Sequence, residues 1–400
     1  MREQGEADGV ARQYEKWRYP TPIEDLPRWL ENRWEWFDPS HAHALLWPDR
    51  PYKPGMDILI AGCGTNQAAV FAYTNPDARV TAIDVSDASL AHARHLKDRH
   101  GLHNLELYQV PVEEAATLGR DFDLVVCTGV LHHLADPVAG LRALAACARR
   151  DAAIAVMLYA RYGRAGVALL QSAFQRLRLR QDEASLATVR QVLAMLPSSH
   201  PARGYLALAS DLDSDAAFVD TFLHARERDY TVRDCLDLVS SAGLAFQAWF
   251  HHAPYYVHDF FTGETRASRA LKALSEADLW STMEEINATN ACHFFIAARI
   301  DRPRSTYAVE FSGSAWLDYV PAFRKGCTFA AGRISRPDWS LELGEGHAAL
   351  AALVDGKRCL ADIASAAGEG ARSPDQEAVR GLFQALWRLD FLSMTMRKAL

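Results

Sequence analysis

Two glycines and one carboxylate stand where a folded sheet could hold a nucleoside-like ligand. Gly62 and Gly64 directly follow the apolar run Asp57–Ala61, and glycine there lets the backbone turn tightly against a ligand. Asp84 ends a second apolar run, where a carboxylate can accept hydrogen bonds from ribose hydroxyls. The turn lacks the third glycine of the dinucleotide fingerprint G-x-G-x-x-G, so a ligand without a phosphate fits it better.

Further polar side chains follow later apolar runs. His132 and His133 come shortly after Gly129, and either could orient or deprotonate a substrate. Tyr159 ends the fifth run and is the third catalytic candidate. The residues predicted to bind substrate are Arg161, Tyr162, Arg164, His224 and Tyr255. A purely structural or solvated role is the alternative for these side chains.

Apolar runs that alternate with helical patterns must position these groups. The strands are predicted at residues 57–61, 80–84, 104–108, 122–127 and 153–158, with helices at Asp87–His100 and Pro137–Arg149. Such alternation predicts a parallel sheet with right-handed crossovers. Leu244–Trp249 and Ala291–Ile300 predict two late strands that complete the sheet as an antiparallel pair. The predicted fold class is therefore α/β.

The chain has 400 residues, which predicts two or three domains at roughly 100–200 residues each. Residues 1–50 hold five of the ten tryptophans and predict an irregular arm over a core edge or a ligand cleft. The sheet domain is predicted at 51–301, with a helical insertion at about 161–229. Residues 302–400 predict a small α+β accessory domain.

Composition excludes several classes of protein. The net charge of −7 argues against a DNA-coating protein, so a nucleic-acid partner is not expected. The seven cysteines form no C-x-x-C pair, which indicates a reducing, cytoplasmic location. We expect neither a secretory signal nor a membrane span. His251 and His252 would point to opposite faces of a strand, and no metal site is predicted.

Three motifs, in order, resemble those of class I S-adenosylmethionine-dependent methyltransferases. They are Ala61-Gly-Cys-Gly-Thr-Asn66, Ala82-Ile-Asp-Val-Ser86 and Thr128-Gly-Val-Leu-His-His-Leu134. The resemblance covers residues 55–160 well and extends more loosely to about 300. It implies a Rossmann-like sheet and S-adenosylmethionine as cofactor. The segment Gln13–Pro20 is also similar to an arm that precedes this domain in some bacterial members.

The resemblance assigns cofactor roles to particular residues. Gly62, Cys63 and Gly64 would flank the methionine part of the cofactor. Asn66 and Gln67 would lie near its carboxylate at a helix start. The remaining assignments are Asp84 to the ribose, Val85 to the adenine, Glu113 as the substitute for a missing adenine-binding Asp, and Thr128 and Gly129 along the cofactor.

The leading functional hypothesis is methylation of a nitrogen or oxygen on a peptide or protein side chain. The alternatives are a small-molecule methyltransferase and a catalytically silent cofactor-binding scaffold. The segments Leu353–Arg358 and Leu386–Leu392 weakly resemble winged-helix peptide-recognition domains of ribosomal-peptide maturation enzymes. A packing or homodimerisation module is the other interpretation of this region.

Overall fold

The computed structural model describes residues 9, 12–209, 212, 214–368 and 375–396. The chain divides into two compact units. The first unit is Met1–Glu35, Pro54–Phe246 and Glu284–Asp301, and the second is Trp36–Lys53, Gln247–Met283 and Arg302–Leu400. These units do not follow the predicted boundaries, because parts of the predicted arm and of the predicted sheet domain belong to the second unit. No helix among the described residues is long and apolar enough to cross a membrane.

The strands lie close to the predicted positions. They are β1 Asp57–Ala61, β2 Arg79–Asp84, β3 Leu105–Gln109, β4 Phe122–Thr128, β5 Ala148–Tyr159, β6 Leu244–Trp249, β7 Cys292–Arg299, β8 Tyr319–Phe323, β9 Thr328–Ala330, β10 Arg333–Arg336, β11 Trp339–Glu342 and β12 Leu392–Met396. The large sheet has the order β3-β2-β1-β4-β5-β7-β6. Its first five strands pair in parallel and β7 pairs antiparallel to β5, which confirms the predicted α/β class.

The helices connect these strands or precede them. They are α1 Leu26–Leu30, α2 Pro39–Leu46, α3 Gln67–Thr74, α4 Asp87–His100, α5 Pro137–Ala146, α6 Ala165–Arg176, α7 Glu183–Met195, α8 Ala202–Leu208, α9 Asp215–Phe222, α10 Val232–Ser241, α11 Arg266–Lys272, α12 Glu276–Asn287, α13 Glu345–Ala351, α14 Leu360–Gly368 and α15 Gln376–Arg388. Short 3₁₀ turns at Val112–Leu118 and Leu131–His133 follow β3 and β4.

The parallel register places the predicted site residues along one edge of the sheet, the edge that the carboxyl ends of its parallel strands form. Ala61 pairs with Ile83, and Ile60 pairs with Val126, so β1, β2 and β4 end side by side. Helix α5 ends three residues earlier than predicted, at Ala146. The reason is that Ala148 already pairs with Phe122 and begins β5. The carboxyl ends of neighbouring parallel strands form the usual place for a ligand in such folds.

Helices α6 to α9 lie in the segment predicted as a helical insertion. They share a small core whose members include Val167, Leu170, Phe174, Val189 and Phe222. Helix α10 begins with a capping box, in which Thr231 and Asp234 satisfy each other's backbone N–H groups. Thr231 is therefore the N-cap of α10.

The second unit has a hydrophobic core of its own. Helices α14 and α15 contribute Leu360, Ile363, Leu382, Phe383 and Leu386 to it. Strand β12 pairs antiparallel to β8, and β9, β10 and β11 form a separate antiparallel sheet. The resemblance to winged-helix domains stays a prediction.

Burial of His251 in the second unit predicts a pH-dependent stability. Its ring lies 4.9 Å from that of Trp36, and burial lowers the pKa of His251 to about 4. The unfolded chain binds this proton near pH 6.5, so the free energy of unfolding falls as the pH drops from about 6.5 to about 4. His251→Gln should reduce that slope by at most about 1.4 kcal/mol per pH unit.

Chemical unfolding between pH 4.5 and pH 7 measures this slope. His95→Gln, at an exposed histidine on α4, is the matched control for the loss of a histidine. A slope that His251→Gln leaves unchanged would contradict the prediction.

Candidate functional site

The turn after β1 needs glycine at two positions. Gly62 and Gly64 have φ angles of 71° and 54°, a region that other residues rarely adopt. A Cβ on Gly62 would lie 2.2 Å from a methyl group of Val130. The backbone N–H groups of Gly62 and Cys63 both donate to the carbonyl of Ile83, at 2.8 and 3.1 Å. The turn is thereby tied to the end of β2.

Asp84 completes this link from the other side. Its Oδ2 accepts a hydrogen bond from the Gly64 N–H at 2.8 Å, and Oδ1 accepts one from the Ser86 N–H at 2.9 Å. Burial raises the pKa of Asp84, although these donors oppose the shift. Each carboxylate oxygen can accept a further hydrogen bond. Asp84 therefore fits the ribose-binding role that the sequence predicts.

The N-terminal arm lies on the glycine turn. A Cβ on Gly64 would lie 3.0 Å from the ring of Pro20, and Thr65 Oγ1 donates to the Pro20 carbonyl at 2.7 Å. The amide of Asn66 donates to the Thr21 carbonyl at 2.8 Å and accepts from the Ile23 N–H at 2.9 Å. The predicted contact of Asn66 with a cofactor carboxylate must compete with these bonds to the arm.

A second chain of hydrogen bonds crosses the start of α3. Gln67 Nε2 donates to Glu35 Oε2 at 3.2 Å, and Thr128 Oγ1 donates to Gln67 Oε1 at 3.0 Å. Gly129, with a φ of 75°, then turns the chain away from β4. The structure thus brings Gln67, Thr128 and Gly129 to the same edge of the sheet as the glycine turn.

The other predicted cofactor residues differ in exposure. Cys63 is buried, and burial raises the pKa of its thiol well above the ordinary value, so it is not a reactive nucleophile. Val85 is 37% exposed, and its carbonyl accepts from Gln109 Nε2 at 3.1 Å. Glu113 is exposed on the turn after β3, and its role toward an adenine stays a prediction.

The three predicted catalytic residues lie together beyond β4 and β5. The rings of His132 and Tyr159 stack with centroids 4.1 Å apart, and those of His132 and His133 lie 4.2 Å apart. His132 is 1% exposed. Burial lowers the pKa of His132 well below its ordinary value and that of His133 to about 3. Both imidazoles are therefore neutral near pH 7.

Buried imidazole nitrogens without hydrogen-bond partners distinguish this cluster from an ordinary packed core. Within the described part of the chain, neither ring nitrogen of His132 has a hydrogen-bond partner, and Nε2 of His133 has none. A buried polar group without a partner costs about 1–3 kcal/mol. A ligand that hydrogen-bonds to these nitrogens would remove that cost.

Asp220 and Tyr14 belong to the cluster, and neither was predicted. Asp220 accepts from the Tyr14 hydroxyl at 2.8 Å and from the Tyr159 hydroxyl at 3.2 Å. Burial raises the pKa of both tyrosines well above the ordinary value, so both are protonated donors. His224, predicted to bind substrate, stacks on His133 with centroids 3.7 Å apart. The arm thus contributes Tyr14 to the same site that it covers.

Arg164 supports the cluster instead of facing a substrate. Its guanidinium lies 3.7 Å from the centroid of the Tyr159 ring and pairs with Glu227 at 2.7 Å and Asp229 at 3.4 Å. The Arg164 side chain is 1% exposed, and burial raises the pKa of Glu227 to about 7. The prediction that Arg164 binds substrate is not supported by this geometry, because its charge is already balanced inside the protein.

The other predicted substrate residues belong to different units of the chain. Arg161 is exposed and pairs with Asp234 at 3.2 Å, whereas Tyr162 is half-buried. Tyr255 lies in the second unit, buried, with its ring stacked 4.0 Å from that of Trp249. A role of Tyr255 toward a substrate stays a prediction.

The buried ion pair of Arg164 predicts a large loss of stability on its removal. Arg164→Met should lower the free energy of unfolding by about 3–5 kcal/mol, because Glu227 and Asp229 lose their counter-charge. Adding Glu227→Gln should restore part of that loss. Urea unfolding measures both variants.

Arg94→Met is the matched control, since Arg94 pairs with Asp87 at the surface and exposed pairs contribute at most about 1 kcal/mol. If Arg164→Met and Arg94→Met lower the free energy of unfolding equally, the buried pair contributes no more to stability than the exposed pair, which contradicts the prediction.

Comparisons with known proteins concern the strands that carry this site. Residues 59–154 match a family model described as a methyltransferase domain. An uncharacterised protein of Synechococcus, syc1184_c, is 33% identical over 234 residues, which is 57% of this chain and 56% of the relative. The ubiquinone biosynthesis O-methyltransferase of Bordetella avium is 33% identical over 126 residues, 28% of this chain and 50% of the relative. The chain thus spans about half the length of these two curated relatives.

A solved structure extends the likeness of fold. PKMT2 from Rickettsia typhi, in complex with AdoHcy, superposes with a TM-score of 0.65 at 14% identity. The match covers 90% of this chain and 75% of that chain. At this identity the likeness concerns the fold alone. The family model falls on the strands that carry the glycine turn and Asp84, so residues 59–154 form a methyltransferase domain.

Proposed function

We propose that the protein transfers the methyl group of S-adenosylmethionine to an oxygen or nitrogen of an acceptor that binds beside His132. The observation that carries this proposal is the buried, unpartnered imidazole of His132 at the same sheet edge as the glycine turn and Asp84. The cofactor supplies an activated methyl group on a sulfonium. The protein's task is then to hold the cofactor, align the acceptor and exclude water.

The residues of the turn suit such a cofactor. Asp84 would accept hydrogen bonds from the ribose hydroxyls with the lone pairs that Gly64 and Ser86 leave free. The backbone at Gly62 and Gly64 presents no Cβ to the ligand. The absence of the third glycine of a dinucleotide fingerprint favours a cofactor without a pyrophosphate.

His132 is the residue best placed to handle the acceptor. A neutral imidazole has one N–H donor and one lone pair, and neither has a partner among the described residues. The lone pair can accept a hydrogen bond from an acceptor hydroxyl or amine and so orient it. The His132 ring stacks on the ring of Tyr159, and this contact fixes the plane of the imidazole. The guanidinium of Arg164 lies over the Tyr159 ring and holds that ring in turn.

A hydroxyl of a small molecule is the acceptor that the relatives favour. Curated relatives include ubiquinone biosynthesis O-methyltransferases. A nitrogen or oxygen of a peptide or protein side chain is the second candidate. It is supported by the second unit, a body with a core of its own that the cofactor turn does not require.

Cofactor binding provides the first test of the proposal. Calorimetry with S-adenosylmethionine should show binding to the full chain. Asp84→Ala should weaken it by about 10- to 100-fold, the effect of losing hydrogen bonds to a charged group. Asp87→Ala, in the exposed first turn of α4, is the control and should bind like the unaltered chain. No binding by the unaltered chain, or equal binding by Asp84→Ala, would refute the cofactor site.

Methyl transfer provides the second test. The protein is incubated with cofactor carrying a labelled methyl group and a bacterial extract, which is then separated into small-molecule and protein fractions. Label in the small-molecule fraction is expected; label confined to protein would establish the second candidate. Label in neither fraction, with the cofactor bound, would favour the scaffold alternative.

His132→Phe separates transfer from binding because phenylalanine keeps the ring stack on Tyr159 and removes both nitrogens. Labelling should fall by about 10²- to 10⁴-fold, while cofactor affinity stays within about two-fold. Unchanged labelling would exclude His132 from the reaction.

A further inference from the structure

Three metal-ligating side chains converge beside the proposed acceptor position. One ligand atom from each of His133, Asp220 and His224 lies within 4.8 Å of the other two. They come from the 3₁₀ turn after β4, from α9 and from the loop after α9. Two imidazoles and one carboxylate form a donor set that suits zinc and related divalent transition metals.

The charge of the Asp220 carboxylate has no cationic partner among the described residues. Asp220 is 2% exposed, and its hydrogen bonds come from the neutral hydroxyls of Tyr14 and Tyr159. The nearby guanidinium of Arg164 pairs instead with Glu227 and Asp229. Buried carboxylates are ordinarily paired with a cation or bound to a metal. A divalent ion would supply the missing positive charge.

His133 has the hydrogen-bond pattern of a metal-bound histidine. Its Nδ1 lies 2.8 Å from the carbonyl of Arg226, which can only accept, so Nδ1 carries the proton. Nε2 therefore has a free lone pair, and this buried atom has no partner in the described part of the chain. Metal-ligating histidines almost always donate their other ring N–H to a carbonyl or carboxylate in this way.

Asp220 is equally well supported as a ligand. Hydrogen bonds from Tyr14 to Oδ1 and from Tyr159 to Oδ2 leave each oxygen with a lone pair. Such bonds from neighbouring groups orient the carboxylates of metal sites.

Binding of an ion by His224 requires two local changes. Its Nδ1 accepts from the Arg226 N–H at 3.1 Å, and its Nε2 lies 3.4 Å from the Tyr14 hydroxyl. An imidazole that binds a metal through Nε2 carries its proton on Nδ1, so the bond from Arg226 would be given up. The rings of His133 and His224 are stacked with centroids 3.7 Å apart. The lone pairs of two stacked rings do not converge, so one ring must also turn for both nitrogens to face the same ion.

We propose that His133, Asp220 and His224 form a binding site for one divalent transition-metal ion, with zinc as the model ion. The ion would lie beside His132, where it could bind an acceptor oxygen as a Lewis acid. The three ligands leave a coordination position open for such an oxygen, as in catalytic rather than structural zinc sites. The site itself does not depend on the methyltransferase proposal.

Metal content tests the site directly. Untagged full-length protein is loaded with zinc chloride, dialysed and analysed by mass spectrometry for bound metal; about one zinc ion per chain is expected. His133→Ala, His224→Ala and Asp220→Asn should each lose the ion. His95→Ala, at an exposed histidine on α4, should keep it. Tyr14→Phe, which removes only a bond to Asp220, should weaken zinc affinity by roughly 10-fold.

Cobalt(II) provides a second readout that does not rely on stoichiometry. Visible absorption of the cobalt-loaded chain should report a nitrogen- and oxygen-ligated ion and should vanish in Asp220→Asn. Circular dichroism and calorimetry with S-adenosylmethionine establish that this variant is folded. Absence of bound zinc and cobalt in the unaltered chain, or an ion retained by folded Asp220→Asn, would overturn the proposal. Zinc binding without cofactor binding would refute only the methyltransferase proposal.

Discussion

The two hydrogen bonds that Asp84 accepts from the backbone hold the cofactor edge of the sheet together. They join the end of β2 to the turn after β1 at Gly64 and to the start of α4 at Ser86. Because parallel strands end side by side, this one carboxylate sets the spacing of the glycine turn relative to β2. The arm, α3 and the turn after β4 all contact this fixed edge. Burial of Asp84 strengthens each of these bonds, since electrostatic interactions are less screened there.

The arm is part of the site. Pro20 and Thr21 accept hydrogen bonds from Thr65 and Asn66, while Tyr14 reaches Asp220. One segment therefore contacts both the cofactor turn and the proposed acceptor cluster. Which of the two predicted roles the arm has, cover of a core edge or of a ligand cleft, stays a prediction.

Sequence reasoning succeeded where the chemistry is local. Strand β1, the glycine turn, Asp84 and helix α4 lie at their predicted positions, because apolar periodicity and the Ser86 cap act over a few residues. It failed where partners are distant in the chain: Tyr14 and Asp220 are separated by 206 residues, and no pattern in the sequence links them. Arg164 was predicted to meet a substrate because it follows β5. Its burial and its ion pair with Glu227 depend on tertiary packing alone.

Two buried charges lie close to Tyr159, and the contrast between them determines what the cluster can do. Arg164 is balanced by two carboxylates, so it can hold the Tyr159 ring without interacting with a ligand. Asp220 is hydrogen-bonded only by neutral hydroxyls among the described residues. A buried charge that is balanced stabilises the fold, whereas an unbalanced one favours binding of a cation. Because Asp220 lies beside neutral imidazoles with unpartnered nitrogens in the described part of the chain, this imbalance would favour binding of a metal ion or a polar acceptor there.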